Sequence, residues 1–351
     1  MKAAVWYGRQ DLRVVEWPEP GVREKTVKVR VKWCGICGSD VNEYASGPFT
    51  IPVGKVHPLT GRQAPLVLGH EFSGDVVEVG SGVEKIRPGD RIAVLAYLYC
   101  GKCYWCLRGQ FSYCLILGST GLCEDGGFAE YVVLPEYACF QMPESVSYEA
   151  GTLVEPLTVA VHACRRGDIK LGTSTVIIGL GPVGLLVLQA AKAAGANPIW
   201  GVEKAKARLD LGLKLGATEV FDPDKIDVGK SVQERTNGMR ADVAFDCAGG
   251  KGTLRLANSV TRRGGKIVNV ALPREEAFPF DRFFVQEKEL LASYAYTDEA
   301  PTALSLLAKG KVDASSMITG KILLEEILEK GIRPLLDGPG ERVKVLVSPG
   351  K

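Results

Sequence analysis

An apolar run at residues 174–179 leads directly into a glycine-rich turn and then into an apolar helical pattern. A strand without alternating polar residues is typical of a parallel sheet, in which strands are buried on both faces. Gly179, Gly181 and Gly184 follow this strand with the spacing G-x-G-x-x-G. This order of strand, turn and helix predicts a βαβ unit of a doubly wound sheet.

Short strands and apolar helices alternate through the surrounding half of the chain. The predicted helices are residues 148–166, 185–194, 206–215 and 254–259, and the further strands are 198–202, 220–221, 243–246 and 266–270. Alternation of this kind indicates a parallel sheet with helices packed on it. We therefore predict the α/β class for this half.

The first part of the chain has a different pattern, in which valines alternate with polar residues. Residues 26–33 and 72–79 show this period of two, which is typical of half-buried strands. Glycine and proline turns separate such runs, which favours a barrel-like or sandwich domain. At roughly 100–200 residues per domain, 351 residues suggest two domains. The segment after about Tyr296 is too short to form a third domain, and we predict that it returns to the first domain.

Charge and hydropathy exclude several classes of protein. Lys and Arg total 43 against 41 Asp and Glu, so the concentrated basic excess of a nucleic-acid-binding protein is absent. No apolar run reaches the roughly 18 residues that cross a bilayer, and residues 1–8 do not resemble a signal peptide. We expect a cytoplasmic protein without nucleic-acid or membrane partners, in which ten cysteines stay reduced.

The glycine-rich turn has the fingerprint of a dinucleotide-binding site. Its glycines permit a tight turn, approach of the backbone to a pyrophosphate, and close packing of helix on strand. Pro182 and Val183 lie within the turn, and the next predicted strand ends at Glu203. A carboxylate there binds ribose hydroxyls and repels a 2′-phosphate, which favours NAD over NADP. Lys204 and Lys206 can offset part of that repulsion. The alternative to a dinucleotide site is a purely structural glycine turn, with Glu203 in a solvated loop.

Four cysteines lie close together in the pattern C-x2-C-x2-C-x7-C: Cys100, Cys103, Cys106 and Cys114. Four thiolates close a tetrahedral Zn²⁺ site without an open position, which is typical of structural zinc. Chance clustering of buried thiols is one alternative. A zinc ribbon that binds nucleic acid is another, but Lys102 and Arg108 are too few cations for a phosphate-binding face.

Further residues of metal-binding type are dispersed along the chain: Cys37, His70, Glu71 and Glu155. The chain has only three histidines, and His70 lies beside a glutamate between glycine-rich turns. A buried thiol, a core histidine and a helix-capping carboxylate explain Cys37, His70 and Glu155 equally well. Spacing does not decide between these readings, because the residues are far apart in sequence.

The motif G-H-E at residues 69–71, followed by Gly74, Gly80 and Val83, resembles the signature of the zinc-containing medium-chain alcohol dehydrogenase family. The four-cysteine segment and the G-L-G-P-V-G turn follow in that family's order, and the resemblance covers essentially the whole chain. Two local motifs, E-P-L at 155–157 and H-A-C-R-R-G at 162–167, are similar to sorbitol dehydrogenases. The long loop at residues 46–65 is most similar to the 2,3-butanediol (acetoin) dehydrogenase group.

The resemblance implies an α/β fold with a β-rich, GroES-like catalytic domain (residues 1–155 and 296–351) and a doubly wound Rossmann NAD-binding domain (residues 156–295). It also implies a catalytic zinc, held by Cys37, His70 and Glu155 with Glu71 as a neighbouring or alternating ligand, and a structural zinc on the four cysteines.

Other residues take roles by the same resemblance. Asp40 would orient His70 through its second ring nitrogen, as bound histidines generally require. Ser39 would accept the alcohol proton, and Arg208 and Val270 would join the glycine turn and Glu203 at the cofactor. The family usually has a histidine proton relay where this chain has Asn42, whose amide does not titrate near neutral pH. We expect water to complete the relay.

These implications lead to an enzyme that transfers hydride reversibly between a secondary alcohol and NAD, with a 2,3-butanediol or acetoin type of substrate. Tyr44, Phe49 and Ile51 are candidate walls of the substrate pocket. A sorbitol, polyol or threonine-type amino-alcohol dehydrogenase of the same family is the second hypothesis, and a non-catalytic NAD-binding redox sensor is the third. A homodimer or homotetramer is expected, joined through an exposed strand around residues 278–296.

Overall fold

The structure is a computed structural model that describes residues 1–272 and 278–350. The chain divides into two units. The first contains Met1–Glu155, Tyr296–Ala308 and Ala314–Lys351, and the second contains Pro156–Ala295 and Lys309–Asp313. The chain thus leaves the first unit after Glu155 and re-enters it at Tyr296.

The described residues form strands in both units. In chain order these are β1 (Lys2–Gly8), β2 (Asp11–Glu16), β3 (Thr26–Gly35), β4 (Leu66–Val67), β5 (Glu71–Val79), β6 (Arg91–Val94), β7 (Tyr97–Leu98), β8 (Gly118–Ser119), β9 (Tyr131–Pro135), β10 (Cys139–Gln141), β11 (Thr175–Ile178), β12 (Ile199–Val202), β13 (Glu219–Phe221), β14 (Ala241–Asp246), β15 (Thr261–Asn269), β16 (Glu289–Ala292), β17 (Ile318–Leu323) and β18 (Lys344–Ser348).

Helices connect many of these strands. They are α1 (Gly38–Ser46), α2 (Tyr148–Gly151), α3 (Val154–Arg166), α4 (Pro182–Ala193), α5 (Lys206–Leu215), α6 (Val228–Arg235), α7 (Thr253–Val260), α8 (Phe280–Val285), α9 (Ala300–Ala308) and α10 (Arg333–Asp337). A π-helical turn, Ile327–Ile332, precedes α10, and short 3₁₀ turns include Cys106–Arg108 and Phe111–Tyr113. No helix in the described part of the chain has the length and apolar character needed to span a membrane.

A mixed seven-stranded sheet is the main element of the first unit. Its order is β10-β6-β5-β3-β18-β17, and β9 also pairs with β3. The antiparallel register sets Gly35 of β3 opposite Glu71 of β5 on one side and opposite Leu346 of β18 on the other. Three segments that are distant in sequence therefore meet at one end of this sheet. Its β-rich character confirms the predicted class of this part of the chain.

The second unit contains a six-stranded parallel sheet with the order β13-β12-β11-β14-β15-β16. All four residues of β11 are buried, as predicted for a strand covered on both faces. Trp200, Phe221 and Phe245 are among its large buried side chains. The predicted doubly wound sheet is confirmed, and β16 forms one of its edges.

Some predicted elements differ from the structure. The single helix expected at residues 148–166 is interrupted, because α2 ends at Gly151 and the Thr152 hydroxyl donates back to the Glu149 carbonyl. Helix α6 was not predicted, since only Val228 and Val232 are buried in it. The strand expected around residues 278–296 is limited to β16 and is preceded by α8.

Packing between β3 and β5 leaves no room for a side chain at Gly74. A Cβ added there would lie 2.1 Å from the Arg30 carbonyl oxygen. Gly74→Ala must push the strands apart, and we expect it to lower the free energy of unfolding by about 1–3 kcal/mol. Urea unfolding measures this change.

Gly320→Ala is the matched control in β17 of the same sheet, because the nearest atom to its added Cβ is 3.5 Å away. There the loss of chain flexibility should leave stability unchanged or raise it by about 0.4–1 kcal/mol. Equal destabilisation by both substitutions would contradict the packing argument.

Candidate active site

Cys37, His70 and Glu71 meet in the first unit. The Cys37 thiol, one imidazole nitrogen of His70 and one carboxylate oxygen of Glu71 all lie within 4.8 Å of one another. Cys37 is the N-cap of α1, and His70 and Glu71 lie at the start of β5. The pairing of β3 with β5 accounts for their approach, since Cys37 follows the end of β3. A thiolate, an imidazole and a carboxylate are the donor types that Zn²⁺ takes in proteins.

The two ring nitrogens of buried His70 face different groups. Nε2 lies 3.3 Å from the Ser39 hydroxyl, and Nδ1 lies 3.5 Å from Asp40 Oδ1. Asp40 is fully buried, and its other oxygen accepts a hydrogen bond from the backbone N–H of Cys37. Asp40 therefore lies where it can orient the imidazole while the opposite nitrogen faces Ser39.

Negative charge dominates the surroundings of His70. Burial lowers the pKa of His70, but the charges of Asp40 and Cys37 outweigh that effect and hold the pKa well above its usual value. A positive charge is consequently favoured at this point of the cluster. A divalent metal ion between the thiol, the imidazole and the carboxylate would supply one, so the residues present fit zinc.

Glu71 has a buried counter-charge on the last strand. Lys344 Nζ donates to Glu71 Oε2 at 2.5 Å and to the Ile36 carbonyl at 3.2 Å, and both charged side chains are at most 2% exposed. Burial lowers the pKa of Lys344, but the charges of Glu71 and Cys37 and the bond to Glu71 raise it overall. Glu71 therefore contacts both the metal-binding group and a lysine. Sequence reasoning missed Lys344; the available signal was a lysine inside an apolar strand.

Glu155, at the start of α3, lies beside this group. Among the described residues, the donor atoms within 4.8 Å of one another come from Cys37, His70 and Glu71, without Glu155. Glu155 accepts a hydrogen bond from the Tyr296 hydroxyl at 2.9 Å, and that hydroxyl accepts one from the Ala96 N–H at 2.7 Å.

The charge state of Glu155 depends on its burial. Burial, opposed by the charge of His70 and reinforced by that of Glu71, raises the pKa of Glu155 to about 7. Tyr296, the residue that holds this carboxylate, was not predicted as a site residue, and no motif marks it.

The remaining predicted residues of this site differ in exposure. Asn42 lies on α1 and is exposed to solvent, whereas Ser39 is half-buried. Of the three candidate pocket walls, Tyr44 and Ile51 are buried, and Phe49 is 65% exposed. Two of those side chains therefore belong to the core, and Phe49 alone of the three has a free surface.

The four-cysteine segment forms a second cluster. The thiols of all four residues lie within 4.8 Å of one another, carried on two 3₁₀ turns and the loop before them. A hydrogen bond from the backbone N–H of Cys106 is the largest effect lowering the pKa of Cys103, to about 6, whereas burial raises that of Cys106 to about 12. Four thiols this close together fit a structural zinc. Tyr99 stacks on Phe111 and Tyr137 and supports the loop.

In the second unit, the glycine-rich turn has the backbone geometry that its sequence predicts. Gly179 has φ +89°, and a Cβ added at Gly184 would lie 1.8 Å from the Gly179 carbonyl oxygen. Gly181 is the N-cap of α4, and Pro182 and Val183 form its first positions. The N-terminal N–H groups of α4 are thus available to a phosphate.

Glu203 lies directly beside this turn. Its carboxylate accepts hydrogen bonds from the backbone N–H groups of Leu180, at 3.2 Å, and Lys204, at 2.7 Å. The Arg208 guanidinium lies 3.7 Å from the same carboxylate. Val270 follows β15 and donates to the Asp246 carbonyl at 2.9 Å. All of the predicted cofactor residues therefore lie at the carboxyl ends of parallel strands, where α/β proteins bind ligands.

Comparison with known proteins agrees with this description. Residues 23–144 match the family "Alcohol dehydrogenase GroES-like domain", and residues 182–309 match "Zinc-binding dehydrogenase". The chain is 41% identical to (R,R)-butanediol dehydrogenase of Bacillus subtilis, over 99% of this chain and 100% of that protein. It is 32% identical to sorbitol dehydrogenase of the same organism, over 100% of this chain and 98% of that protein.

A crystal structure shows the same relationship in three dimensions. The 2R,3R-butanediol dehydrogenase from Bacillus subtilis superposes with a TM-score of 0.93 at 40% identity, covering 99% of each chain. Full-length identity at this level, together with the two matched domains, confirms the family and the enzyme class predicted from the motifs. The chain therefore belongs to the zinc-containing medium-chain alcohol dehydrogenase family.

Proposed function

We propose that this alcohol dehydrogenase oxidises a vicinal diol of the 2,3-butanediol type to its hydroxyketone, and catalyses the reverse reduction, with NAD. The observation that carries this proposal is the full-length identity to a butanediol dehydrogenase, which exceeds that to a sorbitol dehydrogenase. The loop at residues 46–65 supports the same substrate class.

Cys37, His70 and Glu155 would hold the catalytic zinc, with Glu71 as an alternating ligand. Bound zinc would act as a Lewis acid toward the substrate oxygen. The position of Glu71 within the donor group supports its participation, and its bond to Lys344 means that it need not bind the metal permanently. Tyr296 donates a hydrogen bond to the Glu155 carboxylate, and Asp40, 3.5 Å from Nδ1 of His70, would orient the imidazole.

Ser39 would receive the substrate proton, because its hydroxyl lies 3.3 Å from Nε2 of His70, within the donor group. Its exposed neighbour Asn42 can hydrogen-bond to water but cannot take up the proton. Water would therefore carry the proton from Ser39 to solvent.

The glycine-rich turn and the N-terminus of α4 would bind the cofactor pyrophosphate, and Glu203 would bind the ribose hydroxyls. NAD would accept the hydride, which is the chemistry that the nicotinamide supplies. Arg208 and Val270 would complete the cofactor site. We assign NAD rather than NADP because the Glu203 carboxylate lies directly beside the turn.

A polyol dehydrogenase is the second candidate. The motif H-A-C-R-R-G at residues 162–167 and the relationship to sorbitol dehydrogenase favour it. A non-catalytic redox sensor is disfavoured, because the chain belongs to an enzyme family and retains the complete donor set.

We also assign a homo-oligomer joined through β16, the edge of the parallel sheet. Leu290 of this strand is 41% exposed, Tyr294 just beyond its end is 66% exposed, and Phe284 of α8 is 81% exposed. Unpaired edge strands with apolar side chains are suited to pairing with another chain. The ten free thiols are consistent with a cytoplasmic location.

Initial rates on a short panel test the substrate class. The panel is each 2,3-butanediol stereoisomer, sorbitol, threonine and 2-butanol, with zinc-replete protein and NAD⁺. We expect one butanediol stereoisomer to have the highest kcat/KM, by about tenfold or more over sorbitol. A ratio of that size corresponds to about 1.4 kcal/mol of differential transition-state binding. A preference for sorbitol would overturn the proposal in favour of the polyol hypothesis.

The pH profile of alcohol oxidation tests the relay. An imidazole at position 42 with a pKa near 6.5 accepts protons above that pH, so Asn42→His should raise kcat for oxidation about threefold or more at pH 7–8. The kcat for ketone reduction should change less than the kcat for oxidation. Asn42→Gln retains the amide and serves as the control with an unchanged profile. The same profile in Asn42→His and the wild type would refute the role of Asn42.

The ratio of kcat/KM for NAD⁺ and NADP⁺ tests Glu203. Glu203→Ser removes the repulsion of a 2′-phosphate and leaves Arg208 beside it, so the preference for NAD should fall about tenfold or more. Glu234→Gln is the control, because it also removes one negative charge from the second unit, and its carboxylate pairs with Lys230 and not with a cation beside Glu203. An equal change in both variants would mean that net charge, and not contact with the ribose, sets the preference.

A further inference from the structure

The second unit contains a pocket of about 320 Å³ whose lining is strongly basic. Its cationic lining residues are Arg240, Arg255, Arg282 and Lys288, and its neutral ones include Asn258 and Gln286. No carboxylate of the described residues lines it. This concentration of positive charge is local, since the whole chain has a net charge of only +2.

The pocket lies away from the residues assigned to the cofactor. Arg240 immediately precedes β14 and Lys288 immediately precedes β16, so the pocket is at the amino ends of the parallel strands. The glycine-rich turn follows β11 and lies at their carboxyl ends. An anion in this pocket would therefore not occupy the position of the cofactor pyrophosphate.

Lys288 is the buried member of the cationic group. It is 6% exposed, and its ammonium donates to the backbone oxygen of Asn258 at 2.5 Å and to the side-chain oxygen of Asn258 at 3.1 Å. These acceptors are neutral, so they satisfy N–H groups without compensating the charge. Burial, followed by repulsion from Arg240, lowers the pKa of Lys288 to about 8.

Lys288 also caps the C-terminal end of α7, where a cation is favoured by the helix dipole. That structural role accounts for Lys288 and not for Arg240 or Arg282. Within residues 1–272 and 278–350, no carboxylate forms an ion pair with Arg240, Arg282 or Lys288. A buried cation beside like charges is costly unless an anion compensates it.

We propose that this pocket binds a phosphorylated small molecule. Guanidinium groups match phosphate oxygens in paired hydrogen bonds, and the ammonium of Lys288 supplies a further charge-assisted donor. A volume of about 320 Å³ is in the range of small-molecule sites and leaves room beyond the phosphate for the rest of a phosphate ester. The site is independent of the proposed diol substrate.

Isothermal titration with glucose 6-phosphate tests the proposal, with inorganic phosphate and glucose as companion probes. The zinc-replete protein is saturated with NADH, so that the cofactor phosphate site is filled, and ionic strength is held constant with NaCl. We expect saturable binding of glucose 6-phosphate, weaker binding of phosphate, and no binding of glucose. Absence of saturable binding of either phosphate compound, or equal binding of glucose, overturns the proposal.

Two variants locate the site. Arg240→Gln and Lys288→Met should each weaken glucose 6-phosphate binding about tenfold or more, the scale expected when one partner of a desolvated charge pair is removed. Lys214→Met removes one exposed positive charge of the same unit outside the pocket and should leave the affinity unchanged. If Lys288→Met fails to fold because the α7 cap is lost, the affinity of Arg240→Gln for glucose 6-phosphate tests the proposal alone. Equal affinity in Arg240→Gln and Lys214→Met overturns the proposal.

Discussion

The ion pair between Lys344 and Glu71 joins the last strand of the chain to the centre of its catalytic unit. Both side chains are almost completely buried, so neither charge is compensated by water. Removing one partner of such a pair typically costs about 3–5 kcal/mol, because the other charge stays buried alone. The return of the chain to the first unit after Tyr296 is thus an electrostatic requirement as well as a topological one: β18 carries the cation without which Glu71 could not lie beside Cys37 and His70.

This pair also explains why the cluster is suited to a metal. Cys37, Asp40, Glu71 and Glu155 are acidic groups around His70, and the buried ammonium of Lys344 donates a hydrogen bond to one of them, Glu71. One lysine does not balance that much acidity in a buried site. The charges of Asp40 and Cys37 outweigh the effect of burial and hold the pKa of His70 well above its usual value, whereas burial is the main cause of the pKa of about 7 for Glu155, to which the charge of Glu71 adds. A divalent cation would relieve both.

The sequence predicts features that depend on neighbours along the chain. The glycine turn between β11 and α4 and the four-cysteine cluster are local patterns, and each has the expected geometry in the structure. Lys344 could not be found in this way, because its role depends on the register of strands far apart in sequence. Tyr296 could not be found either, because the carboxylate that it contacts, Glu155, is distant from it in sequence. The break between α2 and α3 and the unpredicted α6 have a related cause: tertiary packing and caps, rather than apolar periodicity, determine where those helices form.

Substrate choice is separate from the chemistry that the cluster performs. The donor residues Cys37, His70 and Glu71 could hold a metal ion, and they leave the carbon skeleton of the alcohol unspecified. Discrimination must therefore come from other side chains. Among the three candidate walls, Tyr44 and Ile51 are buried in the core, whereas Phe49 is largely exposed and keeps its ring available to a substrate. An aromatic ring in contact with the substrate would favour a short, methyl-bearing diol over a longer polyol, because each additional hydroxyl of the polyol would lose water against an apolar surface.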